Sequence, residues 1–348
     1  MTISSLYDIF LQHPVITTDS RDCPAGSIFF ALKGETFDGN AYALKALELG
    51  CAYAVIDEAE YATDPRCILV EDVLTTLQLL ANFHRKALGT PVIGVTGTNG
   101  KTTTKELIAA VLSRKYNILY TQGNFNNHIG VPKTLLQLKS EHEFAVVEMG
   151  ANHPGEIKTL VNIVEPDFGI ITNVGKAHIE GFGSFEGVIK TKGELYDYLR
   201  QHSTAEKPCP IFIDETNEYL TNIADGLHQI KYGNNGRVIA CDPFLRMEYE
   251  GREINTHLIG SYNLCNCLAA ATIGRYFDVS GDDICMALEE YTPSNNRSQL
   301  QKTEDNTLII DTYNANPTSM MAALKNFCDM KVDNKMLILG EMRELGDI

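Results

Sequence analysis

The stretch GVTGTNGKTTTKE, residues 94–106, lies between an apolar run, PVIGVT, and a segment, LIAAVLSRK, that carries helical spacing. Leu107, Ile108, Val111 and Leu112 fall on one face of that segment, so it reads as a helix whose apolar stripe meets a core. Strand, glycine-rich turn and helix in this order form a βα unit whose turn can close backbone amides round an anion. The general phosphate-loop formula puts a glycine at the position held here by Val95. Gly94, Gly97 and Gly100 supply the flexible positions instead. In such a loop Lys101 reaches the outer phosphates and Thr102 offers a hydroxyl to magnesium. A plain tight turn shares the glycines but gives no reason for Gly-Lys-Thr at a strand–helix junction. By itself the loop fits a kinase, a GTPase, an ATPase or a ligase.

Outward from the loop, the runs FAVVEMG, FGIITNVG and CPIFID read as buried strands separated by segments long enough for helices. Parallel strands need such crossovers, so the middle of the chain is expected to be a doubly wound α/β domain. Residues 1–85 mix short apolar runs (SIFFAL, CAYAVID, CILV) with helical stretches such as NAYALKALELG, ended at Gly50, and read as a small α/β domain. After YTPSNNR come a strand TLIIDTY, a helix from about Ser319 and a strand KMLILG. Residues 301–348 are too few for a complete domain of the same kind. The expected division is therefore 1–85, 86–300 and 301–348.

Composition narrows the classes of function. A chain of 348 residues with 44% hydrophobic and 21% charged residues has material for more than one buried core. A formal net charge of -16 disfavours nucleic acid as a partner, because phosphate backbones reward clustered Lys and Arg. No run reaches the length of a membrane span, and MTISSLYDIFLQHPV lacks a signal peptide's basic start and apolar stretch, so no membrane insertion is expected. The nine cysteines show no zinc spacing and read as reduced thiols of a cytoplasmic protein.

The loop resembles that of the Mur ligases and folylpolyglutamate synthetases, and further motifs select within this group. TDSR (18–21), IFFALKGETFDGN (28–40), GNFNNHIGVPKTLL (123–136), VVEMGANHPGEI (146–157), HIEGFGSFEGVIKTKGEL (178–195) and DTYNANPTSM (311–320) follow in the order seen in the MurF branch of the Mur ligase family. The resemblance runs almost end to end. It implies a cytoplasmic, three-domain, ATP-dependent carboxylate–amine ligase that acts as a monomer in peptidoglycan precursor synthesis. The first domain would hold the UDP end of the substrate, the second would bind ATP, and a Rossmann-like third would close over both.

Family enzymes phosphorylate the free carboxylate of UDP-N-acetylmuramoyl-tripeptide with ATP, and the amine of D-alanyl-D-alanine then displaces phosphate. Carried over residue by residue, the resemblance assigns ATP to Gly97, Thr98, Asn99, Gly100, Lys101, Thr102 and Thr103 of the loop. It adds Asn266 in GSYNLCNCLAAA for adenine, with Asn263 as a neighbouring candidate, Arg297 in SNNRSQ for phosphates and Asp311 for ribose. Thr102 and Glu148 would ligate a first magnesium ion, His178 and Lys192 a second. Lys192 would do so as the N6-carboxylated side chain, because an ammonium has no lone pair for a metal. Lys190 lies two residues away, and the KGE context favours Lys192. Lys101, Lys192, His178 and Glu148 are thus the expected catalytic set. The UDP substrate would meet Ser20, Arg21, Lys33 and Gly34, whose arginine suits a diphosphate, and Asn124, Asn126 and Asn127. Tyr313, Asn314, Asn316 and Pro317 would lie near the dipeptide or ATP.

The family's third domain continues past the point reached at Ile348, so a shortened chain with weak binding or turnover is also expected. The rivals are another amino-acid-adding Mur ligase, a folylpolyglutamate synthetase, or a fragment that binds nucleotide without turnover. FFALKGETFDGN and YNANPTSM argue against the first two.

Overall fold

The protein is described from a computed structural model covering residues 1–342; the last six residues of the expected third region, 343–348, lie outside it. The chain separates into two compact units. The first unit gathers Met1–Thr90 with Asn124–His142 and Asn162–Glu165. Its sheet is parallel throughout, β1 (Ile16–Thr17), β2 (Ile28–Phe30), β3 (Tyr53–Ile56) and β4 (Cys67–Leu69) lying in sequence order. β2, β3 and β4 are the runs expected from the sequence. Short β1 is an addition, found by pairing alone. The helix Val73–Leu88 turns Val73, Leu77, Leu80 and Ala81 inward. It starts where Asp72 accepts a hydrogen bond from the Thr75 amide, and it stops at Gly89, whose φ of 68° suits glycine.

The second unit is built on six parallel strands: β5 (Val92–Thr96), β6 (Ile118–Tyr120), β7 (Phe144–Glu148), β8 (Phe168–Ile171), β9 (Ile211–Asp214) and β10 (Gln229–Tyr232). Their spatial order is β10-β9-β8-β5-β7-β6. Every residue of β5 is buried, as a strand covered on both faces requires. The chain leaves β5 towards β7 and β6 and then returns to β8 on its other side, so β5 is the switch point of the sheet. In open α/β sheets the carboxyl ends of strands at such a point face the ligand crevice. The helix Lys101–Leu112 buries the four apolar residues read from the sequence. It also packs against the helix Asn263–Tyr276, where a Cβ on Gly274 would come within 2.4 Å of Val111.

β6 and β10 add strands that the sequence did not announce, and three further features differ from expectation. An antiparallel sheet follows the parallel one: β11 (Gly236–Cys241), β12 (Phe244–Tyr249) and β13 (Arg252–Ile259). Its β12–β13 turn, Glu250-Gly251, takes φ of 49° and 77°, the two-residue hairpin geometry that favours such residues. The run TLIIDTY supplies β15 (Thr307–Ile310), which pairs antiparallel with β14 (Gln299–Lys302), and the next helix begins at Pro317, two residues before the expected Ser319. Asn316 caps that helix and Pro317 takes its first turn, where the missing amide costs nothing. The run KMLILG (335–340) has strand composition but forms no strand, with Met336 80% and Ile338 89% exposed. A strand needs a neighbour to complete its ladder, and none pairs with this run among the described residues.

Candidate active site

The phosphate-type loop leaves β5 at Thr96. Gly97 takes φ 143°, and a Cβ there would sit 2.1 Å from Thr172 Oγ1. Gly100 takes φ 76°, and its Cβ would meet Asn266 Oδ1 at 2.7 Å. Both positions therefore require glycine, by backbone angle and by space. The loop rests on the exit of β8: the Thr98 amide donates to Asn173 O (2.9 Å), the Asn99 amide to Asn173 Oδ1 (3.0 Å), and the Gly175 amide to Thr98 Oγ1 (3.0 Å). Thr172 Oγ1 and Asn173 Nδ2 both donate to Asn99 O. Thr172, Asn173 and Gly175 were readable only as the polar end of a strand, TNVG, and nothing in their spacing announces a loop support.

Lys101 Nζ donates to Gly97 O and Thr98 O, both at 2.9 Å, which places its ammonium inside the loop. Burial lowers its pKa from the ordinary lysine value; the Glu148 carboxylate opposes that shift and Arg297 adds to it. Thr102 Oγ1 donates to Glu148 Oε1 at 3.3 Å, with both residues buried. Glu148 ends β7, beside β5. A hydroxyl and a carboxylate are the hard oxygen donors magnesium takes, and the ion commonly keeps waters and substrate phosphates as its other ligands. Among the described residues no group of three or more His, Cys, Asp and Glu is gathered for a metal, so the protein's share of such a site is sparse. The oxygens present fit that sparse share.

Lys192 lies in the helix Phe185–His202 with 2% of its surface exposed, whereas Lys190 is exposed. Its Nζ donates to Ala151 O at 3.2 Å, three residues past Glu148, and stands 5.3 Å from the centre of the Phe182 ring. Burial pushes its pKa well below the ordinary lysine value, and the Lys101 charge adds to the shift. Carbon dioxide adds to the neutral amine, and burial makes that form easier to reach than in an exposed lysine. His178 begins the short helix Ile179–Phe182 in left-handed backbone and meets the Phe182 ring edge-on at 6.3 Å. Phe182 is thus a shared neighbour of His178 and Lys192.

Asn266 and Asn316 meet the loop, while Arg297 and Asp311 are held by neighbours outside it. Asn266 accepts from Thr104 Oγ1 (3.0 Å) and donates to Asn263 Oδ1 (2.8 Å), while Asn263 is anchored on Ile259 O. Asn316 Nδ2 donates to Asn99 Oδ1 at 2.7 Å, so the YNANP segment touches the loop directly. The Arg297 guanidinium lies 3.8 Å over the Tyr313 ring. Asp311 accepts from Ser298 Oγ (3.1 Å), which is bonded to Tyr262 OH (2.6 Å).

In the first unit, Arg21 is held on Asp19 by two side-chain bonds (2.9 and 2.8 Å), and its guanidinium keeps that carboxyl well below the usual range. Lys33 bridges Asp57 (2.9 Å) and Glu58 (2.8 Å). Gly34 leaves room for the Phe37 ring, which a Cβ would meet at 2.5 Å. Asn127 Oδ1 accepts from the Ile129 and Gly130 amides, a local turn. The Asn126 amide donates to Asn124 O. Lys133 Nζ reaches Thr18 Oγ1 (3.4 Å) and lies 5.2 Å from the Phe125 ring centre, which brings the TDSR turn and the GNFNN segment together. Ser20 lies in the TDSR turn.

A glycine-pinned phosphate loop at the switch point of a doubly wound sheet, with a buried carboxylate at the next strand end and a buried helical lysine bonded just past it, defines a nucleotide-phosphate site of the P-loop α/β class. Comparison with known proteins sharpens the class. Residues 14–97 match the family described as Mur ligase family, catalytic domain; residues 95–274 the Mur ligase middle domain; and residues 296–347 the Mur ligase, glutamate ligase domain. A UDP-N-acetylmuramoyl-tripeptide–D-alanyl-D-alanine ligase of Bacillus subtilis is 37% identical over 96% of this chain and 74% of its own length. The ligase of the same name in Escherichia coli is 34% identical over 99% and 80%. A crystal structure of MurF from Acinetobacter baumannii superimposes with a TM-score of 0.83 at 33% identity, over 95% of this chain and 74% of that one. The MurF ligase of Thermotoga maritima, solved in complex with ADP, shares the fold with a TM-score of 0.82 at 24% identity, over 97% and 79%. The chain belongs to the Mur ligase family.

Proposed function

We propose that the protein is an ATP-dependent ligase that joins D-alanyl-D-alanine to the free carboxylate of UDP-N-acetylmuramoyl-tripeptide, in peptidoglycan precursor synthesis. The observation that carries this reading is the grouping of Lys101, Thr102, Glu148 and Lys192 round one phosphate loop, in a chain whose relatives of that name match it nearly end to end. A carboxylate is a poor electrophile until one of its oxygens becomes a leaving group. The loop amides and Lys101 would hold the transferring phosphoryl group, and phosphate transfer needs fixed cations and donors because several anions meet there. Magnesium bound at Thr102 and Glu148 would neutralise phosphate charge. His178 and an N6-carboxylated Lys192 would hold a second ion. Attack by the dipeptide amine on the acyl phosphate then forms the amide and releases phosphate.

In this reading residues 1–85 bind the UDP end through Ser20, Arg21, Lys33 and Gly34, and Asn124, Asn126 and Asn127 meet the muramoyl-peptide part of the same substrate. Residues 86–300 bind ATP through Gly97–Thr103, Asn266, Arg297 and Asp311, and the rest belongs to a closing domain. A monomer working in the cytoplasm is part of the same proposal; no described helix is long and apolar enough to cross a membrane. The protein is expected to convert tripeptide, D-alanyl-D-alanine and MgATP into UDP-N-acetylmuramoyl-pentapeptide, read by mass spectrometry. Phosphate release indifferent to the dipeptide, or a product extended by a single amino acid, would refute it.

A further inference from the structure

Lys105 and Glu106 close the opening motif, and the chemistry above uses neither. Lys105 lies one helical turn beyond Lys101 and has no exposed surface. An ammonium buried this way costs several kcal/mol unless its donors are met. Its Nζ donates to Thr121 O at 2.7 Å, reaches Glu106 Oε1 at 3.4 Å, and stands 5.5 Å from the Tyr120 ring centre. An apolar side chain of similar volume would serve packing at least as well, so the charge calls for another explanation.

The partners supply one. Thr121 is fully buried just past β6, and its Oγ1 accepts a hydrogen bond from the Glu148 amide at 3.0 Å. Lys105 therefore braces the residue that sets the backbone of the proposed magnesium carboxylate. Glu106, adjacent in the helix, points a different way. Its Oε2 accepts from Tyr291 OH (2.5 Å) and Asn295 Nδ2 (3.0 Å), two residues before Arg297. The ion pair is neutral as a whole and its lysine is turned away from the loop, so it adds little attraction for phosphate. Its effect is geometric.

We infer that Lys105 and Glu106 are a positioning pair that sets both flanks of the triphosphate site, Glu148 through Thr121 and Arg297 through Tyr291 and Asn295. This rests on the nucleotide site proposed above. Partners one layer behind a metal ligand are worth about 10- to 100-fold in metal affinity.

The test is titration of the whole protein with ATP, with and without magnesium, beside thermal melting. Lys105→Met is expected to raise the magnesium concentration for half-maximal MgATP binding about tenfold, while magnesium-free ATP binding moves less than about twofold. Thr121→Val, which removes only the acceptor of the Glu148 amide, is expected to repeat that split and carries the test if Lys105→Met does not fold. Tyr291→Phe is expected to weaken MgATP binding, and Glu106→Gln with Tyr291→Phe to be no worse than the poorer single variant. Equal losses with and without magnesium, or an unmoved magnesium requirement, would overturn the inference. Wild-type protein that binds MgATP but makes no pentapeptide would sink the ligase reading and leave this inference standing. A wild type that makes pentapeptide beside variants with normal magnesium demand would do the reverse.

Discussion

Lys101→Ala is expected to lower ATP-dependent turnover by about two to three orders of magnitude, the scale seen when one preorganised donor to a developing charge is lost. The ammonium is held inside the loop by Gly97 O and Thr98 O, so it is already where an outer phosphate would be met and needs little reorganisation. The loop's shape does not depend on it. Gly97, Gly100 and the contacts from Thr172, Asn173 and Gly175 fix the backbone independently. Circular dichroism and melting should therefore change little while steady-state phosphate release collapses. Rates within a factor of about two of wild type would remove the loop from the chemistry.

Lys192→Met is expected to separate activity from stability. Lysine titrates near 10.4 when unfolded, and burial lowers the folded value. Between those two values the unfolded chain binds the extra proton, so stability rises with pH across that window, and the penalty is complete below the folded value. Replacing the buried amine with an apolar side chain should raise the melting temperature near neutral pH in carbonate-free buffer, with a smaller gain above about pH 10. Ligase activity should fall by about two orders of magnitude, because the group that would hold the second magnesium is gone. Wild-type activity should also fall when carbon dioxide is stripped and return when bicarbonate is restored. A variant that melts higher and keeps full activity would show that Lys192 serves packing alone.

What could be read from the sequence depended on how local each signal was. β5, the loop and the helix Lys101–Leu112 were legible because glycines, the Gly-Lys-Thr junction and a change of hydrophobic period fall within one short window. Glu148 was legible as a carboxylate at the end of an apolar run, but its hydrogen bond from Thr102 joins that strand end to the first turn of the helix Lys101–Leu112, far away in the chain. Burial separates Lys192 from Lys190, and only the fold supplies burial. The β11–β13 sheet had a readable cue in the alternating buried Ile254, Thr256 and Leu258, which the stronger parallel-sheet pattern hides. KMLILG shows the opposite failure: strand composition is a statement about a partner, and no described strand lies beside it. The bond between Asn316 and Asn99 joins positions far apart in the chain and has no local signature.

Isotope transfer tests most directly whether the loop's phosphate is used to activate a peptide carboxylate. With 18O in both oxygens of the tripeptide's free carboxylate, acyl-phosphate formation and amine attack must move one labelled oxygen into each phosphate released. Mass spectrometry of that phosphate is expected to show one 18O per turnover, dependent on D-alanyl-D-alanine. Pentapeptide formed with unlabelled phosphate would contradict the account.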